Sequence, residues 1–144
     1  LDKTFFFHAS LAGASFHKAT GNHTRFTWAK VPDADFRECV MAGCDFAEAD
    51  LSRTLFTRSE LSQARFCDAR LAHTEFTDAD LCLADFSRAS VNETDFRGAD
   101  LDKANFHRVD RDKALFDTYE PETIRTTDED LAFAETWTPA RVGL

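Results

Sequence analysis

An all-β solenoid built from five-residue units is the fold this chain predicts, and three interleaved registers predict it. Phenylalanine recurs at every tenth residue, from Phe6, Phe16 and Phe26 through to Phe96, Phe106 and Phe116. Midway between these lies an aliphatic series, Leu11, Val31, Met41, Leu51, Leu61, Leu71, Leu81, Val91 and Leu101, interrupted only at Gly21 and Arg111. Two residues before each large side chain stands a small one, as in Ala14, Thr24, Ala34, Cys39, Cys44, Thr54, Ser59, Ala64, Ala84 and Ala104.

A period of five matches neither the 3.6 residues of a helical turn nor the 2.0 of a strand, so no straight element keeps both series on one face. The chain must turn. If each unit forms one short extended side and a corner, four units close a square coil of about twenty residues, and coils stack at roughly the ~4.8 Å spacing of paired strands. The large residue points inward, and the residue two positions earlier points inward with it. That second residue is small because it shares a narrow interior with the large side chains. Residues twenty apart then form ladders: two of phenylalanine on opposite sides and two of aliphatic residues between them. The remaining three positions of each unit are expected to face solvent. At 144 residues the stack is expected to hold about six coils.

The stretches "ADLSRTLF", "ARLAHTEFTDADLCLADF" and "TDFRGADLDKANF" resemble the pentapeptide repeat family over roughly residues 4–118. That resemblance implies a right-handed quadrilateral β-helix. It is specific for fold and weakly specific for function, because members of the family do unrelated things. The domain reading is a β-helix over 1–118 and a C-terminal capping, helical tail over 119–144.

The cysteines divide by register. Cys39 and Cys44 occupy the small inward slot, whereas Cys67 and Cys82 are expected to point outward. No two are twenty apart and none shows CxxC spacing, so neither a disulfide framework nor a zinc site is indicated, and reduced thiols in a cytoplasmic setting are expected. No apolar run approaches the ~18–20 residues that would span a bilayer. The formal net charge of −9 is unevenly spread: residues 1–116 hold 19 acidic against 15 basic side chains, while the tail from Asp117 holds seven against two. A body so nearly neutral weakens an argument that it imitates a polyanion.

Sorted into columns of twenty, the outward residues alternate in sign: Arg25, Asp45, Arg65, Asp85; Lys18, Glu38, Arg58, Asp78; and Asp33, Arg53, His73, Glu93, Lys113. Such columns are expected to be structural, since opposite charges one strand spacing apart fix register between coils. One region departs from alternation. Glu60, Asp80 and Asp100 form a same-sign column, the adjacent side offers Glu75 and Asp95, and Asp78 and Asp102 lie close by, so this acidic corner is a candidate partner surface, diluted by Arg58, Arg97 and Lys103. The histidines fall mostly at outward positions on different sides, with no recurring ligand spacing. No nucleophile, base and acid arrangement and no phosphate-cradling loop is present, so neither catalysis, a cofactor nor a metal is expected.

The ends carry the irregular features. At the N-terminus Phe5 and Phe7 flank inward Phe6, and Trp28 faces out on the same side one coil later, a candidate interface at an open end. At the C-terminus "TTDEDLAFAETW" reads as a short helix with Thr127 as N-cap, whose Leu131, Phe133 and Trp137 would cover the last coil or pack on a second chain. A chain beginning at Leu1 suggests a module of a larger bacterial protein. The leading functional reading is a non-enzymatic scaffold for an unidentified protein partner, with a homodimer through one terminus as one arrangement. The alternative, implied by the family resemblance, is a DNA-mimicking modulator of a type II topoisomerase, through gyrase inhibition or fluoroquinolone protection. Direct nucleic-acid binding is not expected, because no basic stripe appears.

Overall fold

A computed structural model describes residues 1–117 and 124–127 of the chain. Over residues 1–108 one five-residue motif repeats: an inward large residue, a two-residue turn, an inward small residue and a bridging residue. The unit at Phe46 shows how the backbone is satisfied. Phe46 N–H donates to the Arg65 carbonyl at 2.7 Å, Glu48 N–H to the Cys67 carbonyl at 3.0 Å, and Arg65 N–H back to the Cys44 carbonyl at 2.8 Å. The corner closes on itself where Ala49 N–H meets the Phe46 carbonyl at 3.1 Å. Every bridge is parallel and joins residues twenty apart, from Phe5 with Arg25 to Asn105 with Arg125. A five-residue side and a twenty-residue step make a coil of four sides.

Each corner requires a left-handed residue. The second turn residue has positive φ at nineteen non-glycine positions, including Trp28 (59°), Arg53 (58°), Asp78 (57°) and Leu83 (60°), and at Gly13, Gly43 and Gly98. With the preceding residue on the negative side this is the type II pattern, in which only the third of four residues crosses to positive φ. A non-glycine residue held there costs about 1 kcal/mol or more, and the inter-coil hydrogen bond its own N–H makes offsets that cost.

The two phenylalanine series interlock at the centre of the coil. Rings twenty apart stack in parallel, with centroids 4.5 Å apart for Phe16 and Phe36 and 5.3 Å for Phe76 and Phe96. Rings ten apart meet edge to face, as Phe66 does with Phe76 at 5.3 Å and 78°. Both geometries satisfy the aromatic quadrupole, and the stacking distance matches the strand spacing, so the rings and the backbone ladder share one repeat. Leu51, Leu61, Leu71 and Leu81 fill the sides between and are wholly buried.

The small inward slot does more than save space. Hydroxyls of Thr54, Thr74 and Thr94 donate to the carbonyls of Val31, Leu51 and Leu71 at 2.6–2.8 Å, so a threonine there leaves no buried polar atom unmatched. Cys44 Sγ makes the same kind of contact with the Gly21 carbonyl, at 3.0 Å. Burial pushes the Cys39 thiol up to about 12 and the Cys44 thiol up to about 11, which makes both small hydrophobes rather than nucleophiles. All four cysteines are free. The interruption at Gly21 is a fitted one. A Cβ there would stand 2.7 Å from Leu1 Cβ, so Leu1 occupies the position that a side chain at 21 would need.

One expectation needs correction. Outward positions are not uniformly solvated, because on one side the column Ala47, Cys67, Ser87 and His107 is 6–7% exposed. The residues flanking it lean across the flat side: Arg65 reaches to 3.6 Å from Cys67 Sγ, and Asn105 bonds the Asp85 carboxylate at 3.0 Å. Cys67 and His107 are therefore covered although they sit outside the coil. At Arg111 the inward aliphatic series ends in a 3-10 turn, Arg111–Lys113. The Arg111 guanidinium lies against the Phe106 and Phe116 rings at 5.9 and 5.3 Å, a cation–π capping of the aromatic stack. Ile124 packs on the core, and Arg125 continues the ladder on Asn105. Thr127 Oγ1 accepts the Arg108 N–H at 3.0 Å. The helix expected to follow, with Leu131, Phe133 and Trp137, lies outside the described residues.

A mid-stack ring tests this core. Phe66 is completely buried and stacks on Phe46 and Phe86 at 5.1 and 4.9 Å. Phe66→Ala is expected to lower stability by ~3–5 kcal/mol, measured as a shift in the urea midpoint. Phe5→Ala, at a 60% exposed ring, is expected to stay within about 0.5 kcal/mol. Equal effects would contradict the assignment of the two registers.

Candidate functional site

The acidic corner is assembled by the ladder itself. Glu60 bridges to Asp80 and Asp80 to Asp100 on one side, and Glu75 bridges to Asp95 on the neighbouring side. Asp78 stands at the corner residue that joins those two sides, in the left-handed conformation, and Asp102 follows Asp100 by two residues. All seven side chains of the corner are exposed or half-buried.

Their charge is less free than the sequence implies. Asp95 is gripped by Arg97 within its own turn, with Nη2 to Oδ2 at 2.6 Å and Nε to Oδ1 at 2.9 Å, and that guanidinium holds its carboxyl below the usual range. Asp102 lies 3.3 Å from the Lys103 ammonium. Asp80 and Asp100 each turn one oxygen toward backbone, accepting the N–H of Cys82 and of Asp102 at 3.0 Å. This local use of aspartate, bonding a backbone N–H two residues on, explains why the bridging position tolerates acids with no cation opposite. The remaining same-sign column is Glu60, Asp80 and Asp100, with Glu75 and Asp78 beside it. Among the described residues no group of histidine, cysteine and acidic side chains is placed to hold a metal ion.

Elsewhere the columns pair at some of the steps that alternation predicts and not at others, such as Arg25 with Asp45 or Arg58 with Asp78. Arg53 lies on Asp33 at 2.6 Å, Arg65 on Asp45 at 3.2 Å, Lys18 and Arg58 flank Glu38 at 3.6 and 3.7 Å, and His73 meets Glu93 at 3.3 Å. Arg88 on Asp68, at 2.7 Å, is a further pair the sequence reading missed. The in-turn pairs Arg37 with Asp35 and Arg97 with Asp95 were missed as well. Their signal was available in the spacing Asp-x-Arg across a tight turn, which places a carboxylate and a guanidinium in fork-to-fork contact.

At the N-terminal end, Phe5, Phe7 and Trp28 are 60%, 45% and 46% exposed. Phe5 and Phe7 touch, with centroids 5.6 Å apart, and Trp28 stacks on His8 at 5.1 Å and 7°. Arg25 places its guanidinium 5.4 Å above the Phe5 ring instead of on Asp45. Leu1, Phe6, Leu11 and Phe16 form the end of the core, each only partly covered or exposed.

Parallel coils of four five-residue sides, with stacked aromatic ladders and a left-handed corner on each side, define the class: a β-solenoid of short repeats. The pentapeptide repeat region matches residues 43–120, and the model of eight pentapeptide repeats matches residues 6–37 and 22–58. The chain belongs to the pentapeptide repeat family. Among solved structures it is similar to a pentapeptide repeat protein from the Arabidopsis thaliana thylakoid lumen, at 21% identity, 94% coverage of this chain and 82% of that one, with a TM-score of 0.56. It is also similar to a trypsin-treated form of QnrB1, a plasmid-mediated fluoroquinolone resistance protein, at 16% identity, 94% and 86% coverage and a TM-score of 0.55. At these identities both likenesses speak for the fold. No curated protein matches the chain. Among the described residues no helix is long and apolar enough to cross a membrane.

The Asp35–Arg37 pair yields a pH test. The Arg37 side chain holds the Asp35 carboxyl down at about 2, from an ordinary 3.8. A depressed folded-state value means the pair stabilises the fold above the unfolded value and ceases to do so as pH falls toward the folded one. Arg37→Gln is therefore expected to be less stable than the parent at pH 5, with the difference shrinking between about pH 4 and pH 2. Urea midpoints across that range check it, and a difference independent of pH would assign the arginine a packing role alone.

Proposed function

We propose that this chain is a non-enzymatic scaffold for protein–protein interaction, a stiff rod of about six coils that presents side chains to a partner at fixed spacing. The observation that supports this reading is the uninterrupted ladder from Phe5 to Asn105, whose corners are two-residue turns throughout. Such a surface offers regularly spaced side chains on flat sides, the geometry of a docking rod. Four free cysteines, two of them buried inside the coil, fit a reducing, cytoplasmic setting. A place within a larger bacterial protein, or a homodimer through one terminus, is compatible with this role.

The second reading, a DNA-mimicking modulator of a type II topoisomerase, draws on the bridged column Glu60, Asp80 and Asp100 and on the likeness to QnrB1. It is the weaker one because Asp95 and Asp102 have cations beside them and because the described body alternates in charge along its other columns. DNA imitation requires a sustained negative field rather than one short column.

A supercoiling assay of purified gyrase with increasing amounts of the protein, run beside light scattering, separates the two. No inhibition is expected. Inhibition that disappears when Glu60, Asp80 and Asp100 are changed to lysine, with the circular dichroism spectrum preserved, would replace the scaffold reading with the mimic.

A further inference from the structure

The corner at Gly43 carries a groove of about 370 Å³, lined by Lys3, His23, Arg25, Gly43, Asp45 and Arg65. These residues come from four successive coils and two adjacent columns, the corner column of Lys3, His23 and Gly43 and the bridging column of Arg25, Asp45 and Arg65. The groove therefore runs along the flank of the stack and is a feature of neither end. Gly43 makes room for it. A Cβ at that corner would stand 2.5 Å from His23 Nδ1, so the imidazole of one coil lies over the bare corner of the next. One coil further on, Gln63 carries a side chain in the same left-handed conformation, which shows that the turn itself does not demand glycine.

The charge in this groove is unbalanced. Asp45 is the one acid lining it, and both of its oxygens are engaged, Oδ2 by Arg65 Nη1 at 3.2 Å and Oδ1 by the Ala47 N–H at 3.1 Å. Arg25, which alternation would set on Asp45, has no carboxylate within 4.0 Å among the described residues and lies over the Phe5 ring instead. Lys3, Arg25 and Arg65 are cations throughout the neutral range, so Asp45 leaves two positive charges in the groove unmatched, before any proton on His23. A carboxylate ligand would bring one negative charge and two oxygens. A phosphate monoester brings a charge of about −1.5 to −2 near pH 7 and three acceptor oxygens, and guanidinium groups meet it with paired N–H donors. The second ligand matches the deficit.

We propose that the Gly43 corner groove is a binding site for a phosphate monoester, held by the guanidinium groups of Arg25 and Arg65 and the ammonium of Lys3, with the His23 ring as one wall. The site recognises the group and makes or breaks no bond in it. A small phosphate ester and a phosphorylated side chain of a protein share this chemistry. The scaffold reading does not require the site, and the site does not require that reading.

The test is a two-dimensional 15N NMR titration of the full chain at pH 7.0, following the backbone amides of Gly43 and Asp45 and the side-chain Nε–H of Arg25 and Arg65. The probes are glycerol phosphate and a capped Ala-Ala-phosphoserine-Ala-Ala peptide, with the same peptide carrying glutamate, and sodium chloride at matched ionic strength, as controls. Both phosphate probes are expected to shift these signals saturably, and the glutamate peptide to bind about tenfold or more weakly. Arg25→Gln is expected to weaken the phosphate probes by about tenfold or more. Gly43→Gln, which puts a side chain into the groove, is expected to abolish the response, and Arg70→Gln, on another side, to leave it unchanged. Circular dichroism melting establishes that each variant folds. A phosphopeptide that saturates well below glycerol phosphate makes the source a phosphorylated protein, and equal saturation makes it a small ester; both support the site. No saturable shift, the same shifts with chloride, equal binding of the glutamate peptide, or equal weakening by Arg25→Gln and Arg70→Gln would overturn it. Gyrase inhibition sinks the scaffold reading and leaves this site standing, whereas a silent titration sinks only the site.

Discussion

Everything in this molecule depends on a backbone conformation that most residues avoid. Each five-residue side ends in a turn whose second residue is left-handed, and tryptophan, arginine, aspartate and leucine all accept that conformation here. Without it the chain would run on as a strand, and the residues at five-residue spacing would alternate between two faces. The penalty is local and repeated, whereas the compensation is collective. The left-handed residue's N–H donates to the next coil, the residue after it closes the turn, and the large residue before it enters the core. Corner, ladder and aromatic stack therefore cannot be formed separately, which is the one-dimensional cooperativity of a stacked repeat.

The surface follows from the same constraint. Side chains twenty residues apart stand one strand spacing from each other, so sign alternation along a column places opposite charges within reach, and several of these steps close as ion pairs. Asp33 with Arg53 and Asp68 with Arg88 are bidentate instances. Individually such exposed pairs stabilise little. Their larger effect is on register, because a slip by one unit would move a column to a different side and set unlike neighbours against each other. The same-sign column of Glu60, Asp80 and Asp100 stands out against that background as a surface not used for register.

The inward registers were legible because volume decides them: a coil this narrow admits large residues only at one position and small ones only two earlier, and the sequence repeats that choice with few exceptions. The exceptions were legible as breaks but not as contacts. Gly21 is filled by Leu1, and Arg111 turns its guanidinium onto Phe106 and Phe116, neither of which a period can state. Outside the coil, alternation predicts direction and not coverage. Cys67 and His107 point outward yet are covered, because neighbours such as Arg65 lie flat over the side. The acidic corner was legible as a column, while the neutralising grip of Arg97 on Asp95 depends on a turn geometry that puts residues two apart in contact. The exposure of Phe5 and Phe7 followed from parity, since each lies one step from inward Phe6, whereas Trp28, two steps after Phe26, faces out because it holds the left-handed second residue of a corner.

The twenty-residue step of the bridges constrains how such a chain can change length. Removing one five-residue unit rotates all that follows by a quarter turn, so each downstream phenylalanine lands under an aliphatic column and the ring stacking at 4.5–5.3 Å is lost across the junction. Removing two units restores aromatic over aromatic but exchanges one side for its opposite, which scrambles the outer ion-pair columns while sparing the interior. Only whole coils can be gained or lost with both layers intact. Variation in this chain's length is thus quantised by its core at ten residues and by its surface at twenty, and the surface sets the stricter rule.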